Sequence, residues 1–341
     1  MQKQPGLSGV ASVLHPWSVP SGLPDEHDAR ESLIRDARRR YIQDILRMHS
    51  RLSFHGMAGA LRKKDAVLYH ANHGRGLVTL VAHTDQIPER YLIGLAGFRL
   101  AEYLQAGFAS EELVFGRSLF CEPIREFHQD DTHVITIDEE SGRILGYVAL
   151  AHSKDPEPRP LADPGRLLFP CEEVHSIRLQ SALPDLSDAQ ALETHHIREV
   201  KRLAHTHTVT ARDLRLRITL ELLAGLTMAV HVERDSIRLL IGDVEEHIAL
   251  KHLVLLGLDV YLLTGTTPKL SRQDLMHPRY FNAEKVLPFY SWMPPVEDVA
   301  QVAKQLEQAA AACSPIRALR GLMAELSGSV EHLALTEEVA A

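Results

Sequence analysis

The chain has 341 residues, of which 45% are hydrophobic, 24% charged and 6% aromatic, which excludes a disordered, collagen-like or disulfide-stapled chain and allows two domains or one elaborated domain. Thirty-seven Lys and Arg against 45 Asp and Glu leave a net charge of -8, so the molecule does not condense onto phosphate backbones and nucleic acid is not an expected partner. Cys121, Cys171 and Cys313 sit at no metal-ligand spacing and form no even-numbered framework, which points to a reducing compartment.

The opening residues lead into a weak run broken by Pro16 and Pro20, so no secretory signal is predicted. The most apolar stretches, 220–230 and 252–263, fall far short of the ~20 residues a membrane span needs. A cytoplasmic protein without a membrane span is expected. Residues 1–28 carry Pro, Gly and Ser with no period and read as a poorly ordered lead-in. The spacing Ile34, Ala37, Tyr41, Ile45, Met48 predicts a helix. A β-like stretch at 77–81 and a helix over 88–105 follow, and 29–110 reads as a mostly helical N-terminal extension.

From His133 the pattern sharpens. Residues 133–137 are strand-like, 138–143 form a turn and 144–150 are again β-rich, which together predict an antiparallel hairpin. Pro156, Pro158, Pro160, Pro164 and Pro170 crowd the next segment, too densely for a regular element. Such a long connection beside a rigid sheet commonly covers a binding site. A strand over 196–204 precedes a helix from about 211 to 230, in which Leu214, Ile218, Leu222 and Leu226 recur every fourth residue. A strand at 237–241, a helix over 244–256 closed by Gly257, a strand at 258–263 and a C-terminal helix near 296–312 complete the chain. This order predicts an α/β fold, a mixed α+β sheet with strands near 134–138, 144–150, 197–204, 237–241 and 258–263, covered by helices.

That order is the one found in the GNAT acyltransferase fold, and particular residues carry the likeness further. The stretch 142–150, GRILGYVAL, resembles the hairpin strand "GRVVG-x-x-RL" of acyl-homoserine lactone synthases and of the related long-chain N-acyl amino acid synthases. Phe169, Pro170, Cys171, Glu172 and Glu173 resemble the "LP-x-E" segment before their next strand. Residues 198–204, REVKRLA, resemble their "E-x-S-R-L/F-A/V" strand. Arg117, Phe120 and Glu122 are similar to their "R-x-x-x-F-x-E" entrance helix, one residue short, and Asp130 with Asp131 to the acidic pair after it. Ala149 and Lys201 stand where the family pattern has Arg and Ser. The likeness runs roughly over 115–290, which makes 111–295 the GNAT-like acyltransferase domain and 296–341 a C-terminal helix and tail.

The resemblance implies an N-acyltransferase that moves an acyl group from an acyl carrier protein or acyl-CoA thioester to the amine of an amino-acid-like acceptor, with no tightly bound cofactor. It implies that Glu199 handles the amine, with Arg202 as a second catalytic residue. Arg117, Phe120, Asp131 and Glu172 would face the acceptor, Arg117 and Arg202 meeting its negative charge and Asp131 its ammonium group. Leu203, Ala204, His205 and Arg212 would follow the donor, whose carbonyl meets a backbone amide where this strand splays from the next. The commonest GNAT enzymes cradle the coenzyme A pyrophosphate in a glycine-rich turn before a helix. Residues 205–212 contain no glycine, so a carrier protein is the favoured donor, with Arg212, Arg215 and Arg217 available to its acidic surface.

Strand geometry complicates this assignment. On a regular strand Glu199 and Lys201 share one face and Arg202 lies on the other, unless a bulge intervenes. A charge pair merely closing the sheet surface is the competing reading of these residues. Twenty histidines raise other classes, a His-rich metal-dependent enzyme or a non-catalytic binding protein on the same fold. His205 and His207 would project to one side of an extended strand, with His195 and His196 just upstream and a third ligand from Asp131, Glu173 or His175. No H-E-x-x-H, cysteine quartet or calcium loop occurs, and no metal site is expected. Cys121 or Cys171 beside a histidine would give a covalent thioester route.

Overall fold

The computed structural model describes residues 27–183, 192–245, 250–281 and 286–327. The predicted lead-in lies almost wholly outside the described residues. The chain begins with helices α1 (His27–His49) and α2 (Met57–Arg62), strands β1 (Tyr69–Ala71) and β2 (Leu77–His83), and helices α3 (Glu89–Gln105) and α4 (Glu111–Gly116). The predicted hairpin follows as β3 (Thr132–Asp138) and β4 (Ile144–Ala151), and then α5 (Pro170–His175) and α6 (Leu179–Ala182). The remainder is β5 (Ile197–His205), α7 (Arg212–Val232), β6 (Leu239–Glu245), α8 (Leu250–Val254), β7 (Tyr261–Leu262), α9 (His277–Phe281), β8 (Val286–Trp292), α10 (Val296–Ala311) and α11 (Pro315–Ser327).

Among the described residues eight strands form one sheet in the order β1-β2-β3-β4-β5-β6-β8-β7. Neighbours pair antiparallel except β5 and β6, which run parallel and are joined by α7 as a crossover helix. The mixed α/β class expected from the sequence stands on this strand order itself. Side chains alternate across the sheet, and each face has its own core. Val134, Val148 and Leu150 meet Ile218, Leu222 and Leu226 of α7 on one face. Leu80, Ile135, Tyr147 and Ala149 meet α2 and α3 on the other. The contact with α7 is close because Gly146 has no side chain; a Cβ there would lie 2.6 Å from Ile218 Cγ2.

Several expectations are corrected. The stretch 29–110 is helical only in part, because β1 and β2 belong to the sheet and β2 pairs with β3 along its full length. The strand expected at 237–241 continues to Glu245, so Val244 is strand and not the start of a helix. The strand expected at 258–263 reduces to Tyr261–Leu262. The sequence reading missed β8, because Pro288 at its centre reads as a break. Pro288 is tolerated where it stands. Its carbonyl accepts from Leu263 N, so its missing N–H faces the short edge strand β7 and costs nothing in the ladder with β6. The entrance motif is not helical either: α4 stops at Gly116, and Ser118 turns the chain with φ +52°.

Candidate active site

The parallel ladder between β5 and β6 runs from Ile197 opposite Leu239 to Val200 opposite Gly242 and ends there. A Cβ on Gly242 would lie 2.7 Å from the Val200 carbonyl oxygen, so the last rung needs glycine. Beyond it β5 stays with β4 while β6 stays with β8, and a V-shaped opening separates them. At this point β5 carries one extra residue. Ala149 pairs with Lys201 but Tyr147 pairs with Ala204, and Arg202 has φ +67°. The bulge resolves the strand-geometry problem, because the extra residue turns Arg202 onto the face that holds Glu199 and Lys201. Leu203 then faces the α7 core.

A cavity of about 630 Å³ opens on this face. Glu199 lines it from β5, only 3% exposed, with its Oε2 3.4 Å from Lys201 Nζ. Burial pushes the Glu199 carboxyl up to about 7, assisted by the charge of Asp243, while Lys201 pulls the other way. Across the opening, Asp243 of β6 stands 3.0 Å from His175 Nε2 and accepts a 2.6 Å hydrogen bond from Tyr280. Burial raises the Asp243 carboxyl, but His175, Tyr280 and Arg279 outweigh it and hold the group below the usual range. Two facing carboxyls thus have proton affinities pushed apart, the arrangement that separates a proton acceptor from a permanent anion.

The floor is cationic. Glu122 receives both Arg99 and Arg202, the latter at 2.5 Å. Arg202 also lies 5.3 Å from the Tyr103 ring centre and Arg99 4.7 Å from that of Phe127. Two buried guanidiniums on one carboxylate leave one positive charge in excess. On the side wall the Tyr147 hydroxyl and His133 Nδ1 share a hydrogen bond of 2.6 Å, and His133 Nε2 meets Thr84 Oγ1 at 2.7 Å. Burial pushes the His133 imidazole down to about 3, so it stays neutral and offers one donor and one acceptor nitrogen to Tyr147 and Thr84. The Asp131 carboxylate accepts the backbone amides of His152 and His128 at 2.6 and 2.9 Å. Burial raises its carboxyl against those two hydrogen bonds.

Glu199, Arg202, Asp131 and Arg117 therefore border one cavity. Arg117 sits at the rim and donates to the Gln273 carbonyl at 2.6 Å, tying down the connection between β7 and β8 that roofs the cavity. Glu172 is placed elsewhere: wholly buried, its carboxylate is saturated by Arg166 and by the amides of Phe169 and Leu179, so it braces α5 while Glu173 borders the cavity. Phe120 turns away from the cavity lining, and its carbonyl accepts from His49. Ala204 pairs with Tyr147, whereas His205 lies on the α7 side, 2.8 Å from Thr219, and burial pushes it down to about 4. Arg212 is exposed at the start of α7.

His205 and His207 do not converge on a common ligand site, since His207 pairs with Glu102 at 2.9 Å. Burial pushes the Cys121 thiol up to about 11 and raises Cys171 well above its usual value, so neither is a ready thiolate. Sequence reasoning missed Arg99, Tyr147, His133, Asp243 and Tyr280, and weighed His175 only as a metal ligand. Two of them carried a signal: Arg99 is a charge inside the apolar helix segment LAGFRLAEYL, and Asp243 interrupts the apolar run LLIGDV.

No family model matches the chain, and no curated protein matches it. Among the described residues no helix is long and apolar enough to cross a membrane. Solved structures similar to the chain include the AHL synthase LasI, 12% identical, covering 70% of this chain and 95% of that one with a TM-score of 0.39. FeeM, an N-acyl amino acid synthase from uncultured soil microbes, is 13% identical over 67% of this chain and 97% of its own, with a TM-score of 0.36. A GCN5-related N-acetyltransferase from Brucella melitensis is 10% identical over 72% and 88%, with a TM-score of 0.34. These are distant likenesses, and the chemistry rests on the side chains of the cavity.

Proposed function

We propose that the chain is an N-acyltransferase that moves an acyl group from a thioester to the amine of an amino-acid-like acceptor. The observation that carries this reading is the opening between β5 and β6, where Glu199, with its carboxyl raised to about 7, borders the same cavity as the cationic pair Arg99 and Arg202. An ammonium group must lose a proton before nitrogen can attack, and a base poised near neutral pH serves that step best. The surplus positive charge on the floor suits a carboxylate on the same acceptor, and Asp131 suits its ammonium group.

In the reaction Glu199 takes one ammonium proton and the free amine attacks the thioester carbonyl. An amide of the strand segment freed from β6 holds the oxyanion. The C–S bond then breaks as the amide C–N bond is completed, and the second nitrogen proton goes to the leaving thiolate. Lys201, close to Glu199, favours its ionised form and so limits how far burial raises it. A carrier protein is the donor this surface favours, because 205–212 lacks glycine and Arg212 and Arg215 stand exposed beside it. Arg217 is withdrawn from that face, since it donates to the carbonyls of Ala310 and Ala312 at 2.6 and 2.9 Å. A cytoplasmic enzyme free of nucleic-acid partners completes the reading, with an acyltransferase unit that takes in β1, β2 and α3 as well as 111–295.

The experiment is product mass spectrometry after incubating the protein with acyl-carrier and acyl-CoA thioesters and pooled amino acids. A new amide formed by the wild type and lost in Glu199→Gln supports the proposal. No amide from any acceptor overturns it and favours a binding protein on this fold.

A further inference from the structure

We infer that Glu193, His195 and His196 form a binding site for one divalent cation of the zinc class, at the end of β5 remote from the opening. One ligand atom from each of the three side chains lies within 4.8 Å of the others. His195 Nδ1 stands 3.3 Å from Glu193 Oε2, yet it is buried and makes no hydrogen bond. A buried ring nitrogen close to a carboxylate but out of line with it is costly to leave unpaired. A cation resolves the geometry. With bonds of about 2.0–2.1 Å to nitrogen and oxygen, a bite of that length spans roughly the tetrahedral angle. The imidazoles of His195 and His196 lie side by side, with centroids 3.8 Å apart and their planes inclined at 41°.

The backbone is fixed in advance. The single 3₁₀ turn Thr194–His196 is held by Thr194 N to Arg159 O at 2.8 Å and Arg238 N to His196 O at 2.9 Å. Arg198 Nη1 donates to the His195 carbonyl at 2.6 Å, and Glu193 forms a β-bridge with Pro160. Ligands on so constrained a turn lose little freedom on binding, which is what preorganisation contributes to affinity. Two histidines and one glutamate form a known zinc donor set that leaves a fourth position for water. Ile197 begins β5 directly after His196, so a bound ion clamps the start of the strand that carries Glu199 and Arg202.

The test uses the full chain, stripped with a chelator and then titrated with Zn²⁺ by calorimetry, with Co²⁺ as a spectroscopic substitute. Expected are one equivalent of Zn²⁺ per chain, a rise in Tm, and a visible Co²⁺ spectrum of low-coordinate type. H195A and E193Q should each weaken binding at least tenfold, while H207A leaves it unchanged. The carboxylate of Glu193 is partly exposed, so E193Q keeps the test open if H195A fails to fold. No Zn²⁺ uptake by the wild type, or unchanged affinity in E193Q, overturns the inference.

Discussion

Glu199 concentrates the chemistry of the cavity in one carboxyl group. Because burial raises it to about 7 from a usual value of 4.5, the folded chain binds a proton there that the unfolded chain has released. Stability from this group is complete below about pH 4.5 and is lost as pH rises through 7, whereas the rate of acyl transfer, which needs the ionised form, rises over that same window. Glu199→Gln is therefore expected to lower acyl transfer on the order of 10²–10⁴-fold and to abolish the rising limb of its pH profile. The same variant should melt no lower than wild type at pH 8, since it removes a buried charge. Rates across pH and melting curves, taken on one preparation, check both. Lowered Tm with activity per folded molecule preserved would mark Glu199 as structural. The Arg99, Glu122 and Arg202 cluster makes a second pair of outcomes. Glu122→Ala leaves two buried cations unpaired, and a loss of about 3–5 kcal/mol is expected in denaturant melts. Arg202→Gly leaves Arg99 with Glu122 and relieves a φ of +67°, so its main effect should be a raised KM for the acceptor. Of these residues the sequence exposed Glu199 and Arg202 through one motif. Arg99 and Asp243 lay hidden, because a lone charge in an apolar stretch does not say which cavity it faces.

The bulge and the end of the β5 and β6 ladder belong to the scale of single elements, and they decide which side chains share the cavity. Pattern reading located β5, and it placed Arg202 on the far face because a regular strand turns successive side chains to opposite faces. One added residue reverses that assignment for Arg202 and for the residues after it, so Leu203 and His205 turn to the α7 side. A bulge leaves no composition signal unless it uses glycine, and here an arginine occupies the left-handed position. Gly242 was equally silent, although its lack of a side chain lets the final rung form. Gly242→Val places a Cβ 2.7 Å from the Val200 carbonyl oxygen, so strand β6 must shift outward. An overpacking cost of about 1–3 kcal/mol is expected, with a loss of activity larger than the loss of folded protein. Thermal melts and kcat/KM on the same variant would show it, and unchanged kcat/KM would mean that the opening is not shaped by this rung.

At the scale of the whole molecule, the alternation of hairpin, crossover helix and further strands was legible, and the partition of the chain was not. β1 and β2 are too short or too far in sequence from β3 to announce that they extend the same sheet, and β8 was masked by Pro288. The face proposed to meet a donor is part of this assembled surface. The loop from β5 to α7 offers no glycine for close approach of its amides to a pyrophosphate. A carrier's phosphopantetheine lacks the adenosine diphosphate of coenzyme A and needs no such cradle. On the proposed carrier-dependent reading, the overall charge of -8 would repel an acidic carrier at long range, and docking would depend on local cations, which with Arg217 held at the end of α10 are Arg212 and Arg215. Charges at an interface rim act chiefly on association rate and its salt dependence. Equal acyl chains on carrier protein and on coenzyme A should therefore give a higher kcat/KM for the carrier at low salt. That advantage should shrink as ionic strength rises and the Debye length falls below about 8–10 Å. Arg212→Glu together with Arg215→Glu should remove the carrier advantage while leaving turnover of acyl-CoA within about twofold, because rim substitutions change encounter rather than chemistry. If acyl-CoA is used as well as the carrier at every salt concentration, the donor enters without a docking protein.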